Sequence, residues 1–139
     1  SRLLSEWLIY YSSDEMGDAL SALAAWHDKD PATSVSRYVA AVSRKPPDAA
    51  GIAINKARRR VAHYFFRMAM LWRENLIDTR LLGDALQTST FDFFVSVVAP
   101  IDEAHAAQVI KTRPYDMRPR DLFRHVAEKL RREERSSAP

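Results

Sequence analysis

A chain of 139 residues is long enough to close one hydrophobic core and short for two. Apolar residues at 47% and charged residues at 28% exclude the low-hydrophobicity signature of disorder, and the absence of cysteine excludes disulfides, thiolate metal sites and thiol nucleophiles. The net charge of +3 gathers at the C-terminal end, where residues 111–139 carry nine basic against five acidic groups, an excess too dilute for a dedicated nucleic-acid arm. No stretch approaches the roughly 18 apolar residues of a membrane span, and no signal-peptide pattern opens the chain.

Few glycines and no alternating β-branched runs leave helices as the expected elements. Leu3, Leu4, Trp7, Leu8 and Tyr11 recur at helical spacing and predict a first helix ending near Tyr11. Ser12 and Glu15 have capping-box spacing for a second, whose stripe is Met16, Ala19, Leu20, Leu23 and Trp26 or His27. Asp30 and Pro31 suit the N-cap and first position of a third helix carrying Val35, Tyr38, Val39 and Val42, which Lys45-Pro46-Pro47 stops. The strongest periodicity runs from about Ala49 to Asn75, where Val61, Tyr64, Phe65, Met68, Leu71 and Trp72 define a broad apolar arc and Arg60, His63, Arg67 and Glu74 a polar strip. That helix is the expected spine of the core.

Asp78 is a candidate cap for a short helix with Leu81, Leu82, Ala85 and Leu86, and Thr88-Ser89-Thr90 for the next, whose Phe91, Phe94, Val97, Val98, Ile101 and His105 keep helical spacing. Pro100 predicts a kink or break within it. Lys111 to Pro119 reads as a loop, and Leu122, Phe123, Val126 and Leu130 define a last helix. The expected organisation is an all-α single-domain bundle of about six to seven helices around a central helix near residues 49–75. Residues 1–130 form the domain and 131–139 a charged, frayed tail.

Chemistry-bearing constellations are sparse. Asp102 and His105 have the spacing of half a carboxylate di-iron pair, but the second half and its facing glutamates are absent. Asp121 and His125 suit a surface pair. No nucleophile elbow, P-loop, dinucleotide fingerprint or zinc-protease motif occurs. No catalytic residue, metal site or cofactor is therefore assigned.

The basic run Lys56, Arg58, Arg59, Arg60 cannot form one patch, because a helix turns about 100° per residue. Arg58 falls on the Phe65 and Ala69 side. A guanidinium there needs a carboxylate, which makes Arg58, or failing that Arg59, a structural clamp; Asp14, Glu15 and Asp18 of the second helix are the expected source. Arg118, Arg120, Arg124, Lys129, Arg131, Arg132 and Arg135 make the last helix basic and amphipathic, and Arg124, Arg131 and Arg132 are candidate anion contacts, diluted by Glu128, Glu133 and Glu134.

Ser13-Asp14-Glu15-Met16 opening a helix, Ala57-Arg58-Arg59-Arg60-Val61-Ala62-His63-Tyr64-Phe65-Phe66, the Glu74-Asn75-Leu76-Ile77-Asp78 ending and the segment from Phe93-Phe94 to Pro100-Ile101 together resemble a family of bacterial helical domains of unknown function, over about residues 3 to 130. The resemblance implies a membrane-spanning helix upstream of the domain and a cytoplasmic placement, and it carries over no activity. The expected function is a non-catalytic helical interaction domain, binding a protein partner or a second copy of itself, with the membrane reached only through an upstream segment. The alternative is a nucleic-acid-associated domain that uses the basic C-terminal helix together with Arg59 and Arg60.

Overall fold

Six helices and no strand are found among the described residues of a computed structural model, which are 2–77, 80, 88–111 and 119–137. They are α1 (Arg2–Tyr11), α2 (Asp14–Lys29), α3 (Ser34–Ser43), α4 (Ala49–Arg73), α5 (Thr88–Ile110) and α6 (Pro119–Ser137). The fold is all-α, and α4 packs against α2, α3, α5 and α6. The short helix expected after Asp78 and the loop expected over Lys111 to Pro119 lie almost wholly outside the described residues.

The ends of the helices follow local chemistry, with two corrections. Ser13, not Ser12, caps α2: its extended backbone lets the hydroxyl accept from the Met16 amide at 3.3 Å. Asp14 and Glu15 then occupy the first turn, where the amide end of the helix favours negative charge. Asp30 makes no side-chain cap bond, and Pro31–Thr33 form a 3₁₀ turn that delays α3 to Ser34. Arg37 secures that corner by donating to the carbonyls of Trp26 at 2.8 Å and Asp30 at 3.0 Å while its guanidinium lies over the Trp26 ring.

Helix α4 starts where the Asp48 carboxylate accepts from the Gly51 amide at 2.7 Å. Gly51 is also the point of closest approach to α3, because a Cβ there would stand 2.6 Å from the Ala41 carbonyl oxygen. The helix ends in a left-handed residue, Asn75 (φ 58°), after which the Leu76 amide reaches back to the Leu71 carbonyl at 2.9 Å. That bond satisfies a carbonyl that the last turn leaves without a donor.

Between its ends α4 buries Val61, Phe65, Met68 and Ala69. Phe65 stacks on Phe94 of α5, with ring centroids 4.5 Å apart, and meets Phe123 of α6 edge-on at 5.3 Å. Phe91 stacks on the far side of Phe123. Such aromatic pairs contribute about 0.5–1.5 kcal/mol each beyond the area they bury, so this layer fixes how α4, α5 and α6 meet.

Pro100 does not break α5. The turn before it, Phe94–Val98, is widened to π geometry, with the Ala99 amide donating to the Phe94 carbonyl five residues back. The wider turn relieves the clash that a proline ring makes with the preceding turn. A second wide turn, His105–Ile110, leads to Lys111, whose positive φ of 57° ends the helix. By length and composition α5 is the one helix among the described residues able to cross a membrane, a candidate that counting uninterrupted apolar residues passes over. Phe91, Phe94, Val98 and Ile101 are buried in the core, as in the central helix of a globular domain.

The C-terminal stretch is helical through Ser137 rather than frayed from residue 131. Two contacts dock it on the start of α5. Arg131 pairs with Asp92, and the Thr88 hydroxyl donates to the Glu134 carboxylate at 3.1 Å.

Candidate functional site

Arg58 is buried on α4 with 7% of its surface exposed, and its guanidinium organises a polar network inside the bundle. One terminal nitrogen donates to Asp102 Oδ1 of α5 at 2.5 Å, the other to Asn55 Oδ1 at 3.0 Å, and Nε to the Tyr38 hydroxyl of α3 at 2.9 Å. The Tyr38 hydroxyl also lies 2.7 Å from His105 Nδ1. A planar fork of donors suits this task, since each nitrogen meets an oxygen on a different helix. The clamp joins α3, α4 and α5.

The carboxylate does not come from α2 as the helical pattern suggests. Arg58 projects to the α3 and α5 side of α4, and the α2 carboxylates lie elsewhere: Glu15 pairs instead with Arg60 at 2.8 Å. Arg59, the second candidate clamp, is exposed and has no ion pair among the described residues. It follows Arg58 by one residue, about 100° around the helix, which turns it outward.

Burial, then the neighbouring Arg58 charge, holds the His105 pKa below the ordinary histidine range, while Asp102 opposes the shift. Burial pushes the Tyr38 hydroxyl up, against the opposing pull of Arg58. Both shifts keep these two groups neutral near pH 7. The site therefore contains one carboxylate, already engaged by an arginine, and a tyrosine and histidine that bond to each other. That arrangement holds α3, α4 and α5 in register. No group of three metal-ligating side chains gathers among the described residues.

On the outer side of the same helix lies an open groove of about 1020 Å³. Asn55 lines it and also accepts from Arg58, so the interior network and the groove share one residue. Lys56, Arg59, Arg60, His63 and Arg67 supply a basic wall. Tyr10, Val42, Pro47 and Ile52 supply apolar surface, with Tyr10 stacked on Tyr64 at 5.9 Å and Ile52 left 57% exposed. Arg60 is engaged by Glu15. Lys56, Arg59 and Arg67 have no carboxylate partner among the described residues.

The basic C-terminal helix does not present its three candidate contacts together. Arg131 is half-buried and tied to Asp92, whereas Arg124 and Arg132 are exposed. Asp121 and His125 are exposed as well. Sequence reasoning placed His63 and Arg67 on the polar strip but did not join them to Lys56 and Arg59. The signal was present in the spacing of residues 56, 59, 63 and 67, which stack on one helical face; the apolar floor was not legible, because Val42 and Pro47 arrive from α3 and the turn after it. No family model, curated protein or solved structure matches this chain.

Proposed function

We propose that this is a non-catalytic helical interaction domain that receives an anionic partner in the α4 groove. The observation that carries the reading is the row Lys56, Arg59 and Arg67, three cations with no carboxylate partner among the described residues, set beside exposed apolar surface at Ile52 and Tyr10. An exposed apolar patch rimmed by polar residues is a common mark of a docking site, and here most of the charged ones are basic. The interior clamp supports the reading from behind, because it fixes the backbone of α4 on which the row stands. The likeness to bacterial helical domains supports placing the module on the cytosolic side of a membrane-anchored protein.

The nucleic-acid reading rests on the basic C-terminal helix α6 together with Arg59 and Arg60. It is weakened on α6 by Asp92, which occupies Arg131, and on α4 by Glu15, which occupies Arg60. Titration of isotopically labelled protein with poly-L-glutamate tests the groove. Amide shifts should centre on residues 52–67 and Tyr10 and should fade as salt shortens the screening length from about 14 Å to about 7 Å. Shifts centred on α6, or none at all, would remove the groove from consideration.

A further inference from the structure

We infer that the natural occupant of the groove is an acidic amphipathic helix of a partner protein, an inference that rests on the groove being the binding site. Lys56, Arg59 and Arg67 follow one another by three and eight residues along α4. At 1.5 Å per residue that is a row of roughly 16 Å with steps of about 4.5 and 12 Å. A second helix lying alongside, with carboxylates spaced by three and eight residues, repeats the same steps. Two such ridges run nearly parallel at the crossing angle of about 20° found in bundle-type packing. Ile52, one turn before Lys56 on the same face, and Val42, Pro47 and Tyr10 from the neighbouring elements would then receive the partner's apolar residues, as in helix-in-groove recognition.

Other polyanions fit less well. A single nucleic-acid strand gains much of its affinity by stacking bases on free aromatic faces. Here Tyr64 is 2% exposed and Tyr10, 41% exposed, has one ring face already stacked on it, so the groove offers a single tyrosine platform beside its aliphatic surface. A small anion would leave most of the row unused.

The test is fluorescence anisotropy at low salt with three labelled probes. The first is a helix-favouring peptide of roughly four turns, with glutamates on one ridge and leucines on the adjacent stripe. The second has the same composition scrambled so that the glutamates share no face, and the third is a single-stranded oligothymidylate of equal charge. The patterned peptide should bind at least about tenfold more tightly than either control, a difference of about 1.4 kcal/mol. Arg59→Glu with Arg67→Glu should weaken it by a similar factor without lowering the melting temperature, since both residues are exposed.

Equal binding of the scrambled peptide, or binding of poly-L-glutamate at the groove with no affinity for the patterned peptide, would overturn the helix inference and leave the anionic groove standing. Tighter binding of the oligonucleotide at the groove would replace the partner by a nucleic acid. Failure of every probe, poly-L-glutamate included, would overturn both.

Discussion

Breaking the Arg58–Asp102 pair from its two ends should have unequal consequences. The Arg58 side chain is 9% exposed and that of Asp102 38%. Arg58→Met removes the desolvated partner: Asp102 can rehydrate, Tyr38 keeps His105, and Asn55 faces the groove. The loss is chiefly one charge-assisted hydrogen bond plus weaker neutral ones, offset by the apolar methionine, about 2 kcal/mol. Asp102→Ala instead leaves a guanidinium with only neutral acceptors in a largely closed site. Its cost is about 3 kcal/mol, the lower edge of the range for an orphaned buried charge, because the space vacated by Asp102 opens to water. The double variant should cost less than the sum of the singles by about 1–2 kcal/mol, as expected for groups in direct contact. Urea unfolding of the four proteins measures the cycle, and each kcal/mol should move the melting temperature by roughly 3–5 °C. A coupling energy below about 0.5 kcal/mol, or an Asp102→Ala variant no less stable than Arg58→Met, would refute the clamp.

Gly51→Ala should destabilise by about 1–3 kcal/mol despite alanine's better helix propensity, because the new methyl meets the Ala41 carbonyl; Gly17→Ala, where nothing lies within 4 Å, should stabilise by about 0.5–1 kcal/mol in the same thermal melts. His105, with its folded-state pKa lowered, is protonated more readily in the unfolded chain, so its contribution is fully present above the ordinary histidine pKa of about 6.5 and is lost as pH falls from there towards the folded value. Urea melts from neutral pH to about pH 5 should show a shallower loss for His105→Gln than for the parent, and a steeper one would reverse the assignment. Arg131→Glu sets two carboxylates face to face at Asp92 and should speed amide exchange in the last turns of α6 while leaving the global unfolding midpoint nearly unchanged. The charge swap Asp92→Lys with Arg131→Glu should restore protection.

Helix α4 was legible from end to end because its apolar arc is broad and Lys45-Pro46-Pro47 stops the helix before it. Arg58 was legible as an interior arginine for the same reason: its angular position relative to Phe65 and Ala69 follows from helical geometry alone. Its partner was not. Which carboxylate meets a guanidinium depends on which helix packs on which side of α4, and nothing local to Asp14, Glu15 or Asp102 records that. The continuity of α5 through Pro100 was also hidden, since a proline mid-helix predicts a kink until the preceding turn is known to be wide. The continuation of α6 to Ser137 depends on contacts of Arg131 and Glu134 with α5, and charge-rich composition alone reads as fraying. The groove was half visible, as a row of cations without its floor.

The wide turn at Phe94–Val98 also makes chain length at that point a determinant of the interior chemistry. In an unbroken α-helix Phe94 and His105, eleven residues apart, would lie within about 20° of one another, and the histidine would enter the layer of Phe65 and Phe123. The surplus residue in the wide turn rolls everything after it by roughly a quarter of a revolution. Thus the first half of α5 faces the phenylalanines while Asp102 and His105 face Arg58 and Tyr38. Deleting one residue between Phe94 and Val98, even at exposed Ser96, would swing His105 towards the aromatic layer, carry Asp102 about a quarter of a revolution away from Arg58, and press the Pro100 ring against the turn before it. A one-residue length change that would pass unnoticed in a surface loop is here equivalent to losing two members of the network at once.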